Sequence, residues 1–168
     1  MNENKIKLKD IAITGICAAL IFVVTFLIKI PVPVTATGAY INLGDTIIYI
    51  VAFLINPVFA MLAAAIGSAL ADILLGAGVY IIPTFIIKGL MGLLCAMINK
   101  NNSFKRYLIA CVVGGVIMVV GYSSFEAVMF GISVALANLP YNLIQFAGTI
   151  IVAIVFYKVL PRLKKEIS

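Results

Sequence analysis

Asp45, Asp72, Lys88 and Glu126 are ionisable side chains set inside, or at the mouths of, long apolar runs. A charge at membrane depth costs about 2.5–3.5 kcal/mol even on lenient insertion scales, so it usually marks a function. Further polar groups accompany them at helical spacing. Thr84 with Lys88, and Tyr122 with Glu126, are i, i+4 pairs that share a helix face. Asn138, Asn142 and Gln145 follow the i, i+4, i+7 pattern, a stripe of three amides on an otherwise apolar helix. Amides, aromatic faces and a Lys88–Glu126 pair suit a hydrogen-bonding site for a small molecule, with Tyr80, Thr84 and Tyr122 lining the pocket. Catalysis is poorly served. The chain has no P-loop, nucleophile elbow, HExxH motif or acidic metal cluster, and no His. It reads as a non-enzyme with no cofactor of its own.

Composition sets the surroundings of these groups. The chain has 168 residues, of which 64% are hydrophobic and 11% charged, against about 25% charged in a soluble domain; mean hydropathy is +1.23. It reads as an integral membrane protein, multi-pass and placed in the plasma membrane. The first apolar run, Ile11 to Ile30, is too long for a signal-peptide core and lacks a clear cleavage site. The net charge of +6 gathers at helix ends, which topology explains better than nucleic-acid binding. Cys17, Cys95 and Cys111 fall in apolar spans without a CxxC pair, so they read as buried thiols.

Spanning helices need about 20 apolar residues. The stretch from Thr46 to Leu75 is one long helix or two short ones, with Asn56-Pro57 inside it; proline ends a helix and suits the first turn of the next. Positive charge decides between them. Ten of the twelve Lys and Arg form three clusters: Lys5, Lys7 and Lys9; Lys100, Lys105 and Arg106; Lys158, Arg162, Lys164 and Lys165. Six spans put all three in the cytoplasm, whereas five do not. The expected fold is therefore an all-α bundle of six transmembrane helices with both termini cytoplasmic, forming one membrane domain over 1–168. Its helices would cover about 8–30, 45–55, 57–75, 80–98, 106–131 and 137–160, the second short and tilted or incompletely spanning. The outer connections would be Pro31–Gly44, Gly76–Val79 and Ile132–Leu136.

This layout brings the polar residues to the outer end, with few in the inner half. A pore needs polar groups along its full depth, so the pattern indicates a binding site open to the exterior. Plainer roles remain open at several positions. Ser68, Ser123 and Thr149 can be interhelical glue, and Lys88 can pair with Glu126 or Asp72 to hold the bundle. Asp45 can be the N-cap of the second helix, and Asp72 can orient the outer loops. The first outer loop, bearing Tyr40 and Asn42, is either a cover over the site or a connector. Small residues four apart, Gly15 and Ala19 on the first helix and Ala60, Ala64 and Ser68 on the third, allow close helix approach. Internal packing is preferred for the third helix; on spacing alone the first remains open to contact with another protein. A structural subunit and a stand-alone secondary transporter are the rival functions, the latter lacking the two related halves common in such proteins.

The runs Tyr40-Ile-Asn-Leu-Gly-Asp45, Gly67-Ser-Ala-Leu-Ala-Asp72, Pro83-Thr-Phe-Ile-Ile-Lys-Gly89, Gly121-Tyr-Ser-Ser-Phe-Glu126 and Leu139-Pro-Tyr-Asn-Leu-Ile-Gln145 together resemble the substrate-binding S components of energy-coupling factor (ECF) transporters. The resemblance covers nearly the whole chain and lies nearest the branch associated with riboflavin, pyridoxine or hydroxymethylpyrimidine. It implies six helices and capture of a water-soluble vitamin near the outer surface. It also implies docking on a transmembrane coupling subunit driven by two cytosolic ATPases, which alone use ATP. The loop after the first helix would act as a lid, with Tyr40 and Asn42 capping a ligand held by Lys88, Glu126, Asn142 and Gln145, and the protein would topple to release its cargo. Members of this family use Ala-x-x-x-Ala on the first helix against the coupling subunit; here the matching pair is Gly15 and Ala19, small but not identical.

Overall fold

The computed structural model describes residues 7–33, 37–99 and 103–167; Lys5, Lys100 and positions 34–36 of the expected lid lie outside them. Its elements are α1 (Leu8–Leu27), β1 (Lys29–Pro31), β2 (Tyr40–Asn42), α2 (Gly44–Leu54), α3 (Pro57–Leu75), a 3-10 turn (Gly78–Tyr80), α4 (Ile81–Ile98), α5 (Phe104–Phe130), α6 (Ile132–Phe156) and α7 (Leu160–Ile167). Five helical stretches of 20, 19, 21, 27 and 25 residues are long and apolar enough to cross a membrane. The exception among the apolar helices is α2, whose 11 residues reach about 16 Å at 1.5 Å each, half of a hydrocarbon core of about 30 Å.

The break between α2 and α3 falls where Asn56-Pro57 predicts it. The Asn56 side chain accepts the Val58 N–H at 3.0 Å, and Pro57 opens the helix, where its missing N–H costs nothing. Three boundaries differ from the sequence expectation. α1 stops at Leu27 rather than near residue 30, because residues ahead of Pro31 and Pro33 favour extended backbone. They form β1, which pairs antiparallel with β2 in the register Lys29↔Asn42, Ile30↔Ile41, Pro31↔Tyr40, a hairpin the helical periodicity does not reveal. The connection expected over Ile132–Leu136 is helical. The chain turns from α5 to α6 at Gly131 alone, whose φ of 95° a side chain would strain. At the far end, α6 closes at Phe156 and a separate short helix, α7, follows.

Chain order places the hairpin, the start of α2 and the α5–α6 turn at one end of the bundle, and the described basic-cluster residues at the other. Between them lies an apolar core of Ile48, Tyr49, Phe53, Met91, Cys95, Tyr107, Cys111 and Met118. Phe53 meets the rings of Tyr107 and Tyr157 edge-on, at 5.6 and 5.9 Å between centroids. Lys164 of α7 donates to the Phe53 carbonyl at 2.8 Å, satisfying one of the open carbonyls at the α2 terminus; partial burial lowers the pKa of this ammonium. On α3, Ala60, Ala63, Ala64, Gly67, Ser68 and Ala71 are all buried, the internal packing expected of them. Gly15 and Ala19 face away from the bundle, and a Cβ on Gly15 would meet nothing within 4 Å.

Candidate functional site

The polar residues meet at the hairpin end, in an arrangement set by helix register. α4 and α5 run antiparallel, and hydrogen bonds fix their levels: Tyr80 lies opposite Glu126 and Thr84 opposite Tyr122. Lys88 is two turns further along α4, about 12 Å below the Glu126 level. The expected Lys88–Glu126 pair therefore does not form. Lys88 instead donates to Asp45 in an ion pair whose side chains are 3% and 0% exposed. Asp45 can reach it because α2 begins here. Leu43 occupies the N-cap position without a side-chain cap bond, so the alternative of Asp45 as N-cap does not hold; its carboxylate turns inward.

Gln145 of α6 ties this pair to the hairpin. Its Nε2 donates to Asp45 Oδ2 at 2.8 Å, and its Oε1 accepts the Asn42 backbone N–H at 2.9 Å. Asn42 Oδ1 in turn accepts the Gly44 N–H at 2.8 Å. Gly44 lies so close to α1 that a Cβ would stand 1.9 Å from Thr25 Oγ1, which leaves no room for a larger residue. The Lys88 ammonium also sits 5.2 Å from the centre of the Tyr122 ring, within cation–π range.

Nearer the bundle end, Glu126 Oε1 accepts from Tyr80 OH at 3.0 Å and from Asn138 Nδ2 at 2.9 Å. Asp72 Oδ1 accepts from Tyr40 OH, so Asp72 does orient the outer loop. Burial first, and the Asp72 charge second, hold the Tyr40 phenol well above its ordinary pKa, which keeps it a donor.

These groups surround a cavity beneath the hairpin. Every residue expected to contact a ligand lines it except Asn138, which stands behind Glu126. Thr25, Ser68 and Asp72 also line it. Ser68 reads from sequence as packing and Asp72 as a loop anchor, and Thr25 carries no signal beyond sharing an inward α1 face with Thr14, Ala18 and Ile21. The space is partly open and measures about 40 Å³, room for a few waters and well short of the roughly 300 Å³ at which ligand sites begin. Four atoms of the lining are buried without a hydrogen-bond partner: Thr25 Oγ1, Asp72 Oδ2, Glu126 Oε2 and Asn142 Nδ2. Water in this space or a bound ligand can meet them; left without either, each would cost about 1–3 kcal/mol. Among the described residues no cluster of His, Cys, Asp or Glu can hold a metal, and the three cysteines are free thiols, Cys17 only half-buried.

A family model described as "ECF-type riboflavin transporter, S component" matches residues 5–162. The chain belongs to this S component family. Among individual relatives, the thiamine precursor transporter HmpT of Lactococcus lactis subsp. cremoris is 30% identical over 161 residues, covering 96% of this chain and 90% of its own. An uncharacterised Pyrococcus woesei protein is 36% identical, over 77% of this chain and 86% of its own. Two solved structures share the fold. One, reported as the S component of a bacterial ECF transporter, superposes with a TM-score of 0.73 at 22% identity, covering 92% of this chain and 96% of its own. The other, an S component for biotin, superposes at 0.68 with 23% identity over 98% and 95%. With five membrane-length apolar helices, this S component is an integral membrane protein, and its family and neighbours are transporter components rather than enzymes.

Proposed function

We propose that this S component captures a small heterocyclic vitamin or vitamin precursor, pyridoxine-like or hydroxymethylpyrimidine-like, at the extracellular side of the plasma membrane. It would deliver that cargo to an ECF coupling subunit driven by two cytosolic ATPases. The observation that carries the reading is the buried cavity beneath the hairpin, lined from α1, α3, α4, α5 and α6 and holding four unmet polar atoms. Lys88, Asp45 and Gln145 form its rigid base, while Glu126, Asn142, Thr84, Tyr80 and Tyr122 face the cargo. Tyr40 and Asn42 hold the hairpin shut over it. Because the space is about 40 Å³, a vitamin-sized cargo would need the hairpin to lift, breaking the Tyr40–Asp72 and Asn42–Gln145 bonds.

The basic clusters support an orientation with both termini in the cytoplasm, α2 counting as a sixth, incompletely spanning helix. Exposed Gly15 then lies on the inner half of α1 and exposed Ala19 just past its middle, both available to the coupling subunit. The HmpT relationship supports a thiamine-precursor-like cargo. The family description favours riboflavin as the second reading. Calorimetry of the detergent-purified protein against pyridoxine, hydroxymethylpyrimidine and riboflavin tests the proposal. Micromolar or tighter binding to one of the first two is expected; failure to bind any of the three rejects it.

A further inference from the structure

A second hollow lies at the opposite end of the bundle, where the start of α1 meets the elbow between α2 and α3. It is partly open and, at about 220 Å³, larger than the cavity beneath the hairpin. Its lining falls into two parts. Ile13, Leu54 and Phe59 make an apolar wall, while Lys7, Lys9 and Asn56 supply donors beside the Asp10 carboxyl. The charges favour an anion. Among the described residues, the Lys7 and Lys9 ammoniums enter no ion pair. Asp10 turns one carboxyl oxygen to the Lys7 backbone N–H at 3.2 Å. Asn56 spends its side-chain oxygen on the Val58 N–H, which leaves the amide nitrogen to donate, and α3 begins beside it with the positive end of its dipole. The C-terminal carbonyls of α2 would oppose an anion, but Lys164 covers the one at Phe53.

We propose that this hollow holds the headgroup of an anionic phospholipid, with Lys7, Lys9 and Asn56 on the phosphodiester and the first acyl-chain carbons along Ile13, Leu54 and Phe59. The two-part lining calls for an amphiphile, because a free phosphate or an acidic peptide would use the cations and leave the wall bare. Two lysines less one aspartate give the lining a single net positive charge, which matches the single negative charge of a phosphodiester. Position supplies the rest. The mouth lies where the apolar run of α1 begins, and Leu8 and Ile11 beside it are 82% and 57% exposed, a surface suited to acyl chains. Under the orientation proposed above, this end faces the cytoplasmic leaflet, where basic residues flanking a spanning helix attract anionic lipid.

Native mass spectrometry of the full-length protein in a neutral detergent counts bound lipids directly. The probes are phosphatidylglycerol, phosphatidylcholine with the same acyl chains, and inorganic phosphate. Each lysine near an anionic headgroup strengthens binding about 5-fold, so the first phosphatidylglycerol should bind at least about 10-fold more tightly than phosphatidylcholine. Lys7→Gln/Lys9→Gln should remove that preference. Lys158→Gln/Lys165→Gln takes the same charge from the cluster around α7 and should leave the preference intact. All four lysines are exposed, so neither exchange threatens the fold. Three results overturn the inference. Equal binding of the two lipids reduces the hollow to an apolar cleft, equal losses in the two double variants make the attraction diffuse, and phosphate binding as tightly as the lipid makes it a free-anion site. No vitamin enters this assay, so its failure leaves the cargo cavity standing, and a failure of vitamin binding leaves this site standing.

Discussion

Breaking the Lys88–Asp45 pair should destabilise the protein far more than removing the pair as a unit. Both side chains are essentially excluded from solvent, so a lone charge left behind has no water to turn to. Lys88→Met strands the Asp45 carboxylate with only the Gln145 amide at 2.8 Å. Asp45→Asn strands the ammonium above the Tyr122 ring at 5.2 Å, a contact worth no more than about 2 kcal/mol. Removing one member of a buried pair costs about 3–5 kcal/mol, which at about 2–4 °C per kcal/mol for a chain of this length lowers the melting temperature by about 6–20 °C. The double variant Asp45→Asn/Lys88→Met has no charge left, and the amide carbonyl introduced at position 45 still accepts from Gln145. It should recover at least about 2 kcal/mol of the summed loss. Thermal unfolding in detergent, followed by far-ultraviolet circular dichroism, measures all four proteins. If the two single losses simply add, the side chains do not sense each other. If Lys88→Met couples instead to Glu126→Gln, the register placing Lys88 two turns below Glu126 is wrong.

The hairpin and the helix surfaces give further tests. Gly44→Ala should cost about 1–3 kcal/mol through overpacking, because its Cβ would stand 1.9 Å from Thr25 Oγ1; Thr25→Ala in the same chain should restore much of the loss, and an unperturbed melt for Gly44→Ala alone refutes the contact. Gln145→Leu removes the acceptor of the Asn42 N–H, so that amide should exchange with deuterium at least about 10-fold faster, given a lost bond of about 1.5 kcal/mol; unchanged protection refutes Gln145 as the anchor of the hairpin. Gly15→Leu projects into open space and should alter folding stability by no more than about 0.5 kcal/mol. It should nonetheless prevent co-purification with the coupling subunit, and a complex that survives removes α1 from the docking surface.

Much of this layout is written in the chain at short range. Asn56-Pro57 carries its own capping chemistry, and the α2–α3 break follows from two residues. The amide stripe on α6 is a matter of periodicity, and two of its members, Asn142 and Gln145, line the cavity. Long-range pairing is less legible. The Lys88–Asp45 contact joins residues 43 positions apart, and depth in a bundle does not name a partner. One clue is present: in antiparallel helices, Thr84 level with Tyr122 and Tyr80 level with Glu126 exclude Lys88 from Glu126 by arithmetic. The hairpin is hidden because three-residue strands carry no usable alternation, and its true signal is the pair of prolines ending α1 early. The start of α6 comes earlier than expected because a helix-to-helix connection need not take several residues, and Ile132 through Leu136 contain no Gly, Pro, Asn or Asp to break the helix.

That single-residue elbow at Gly131 has a mechanical outcome. Two rods joined so tightly, and bolted again by Asn138 to Glu126 just inside the joint, cannot splay apart without tearing that bolt. The carboxyl of Glu126 and the amide of Asn142 thus belong to a fixed jaw whose spacing is set before any cargo arrives. The opposing jaw is the three-residue strand pair, held to α3 through Tyr40 and Asp72 and to α6 through Asn42 and Gln145. Under the proposed function, a cargo would meet one side fixed by the α5–α6 joint and another held by hydrogen bonds across the cavity.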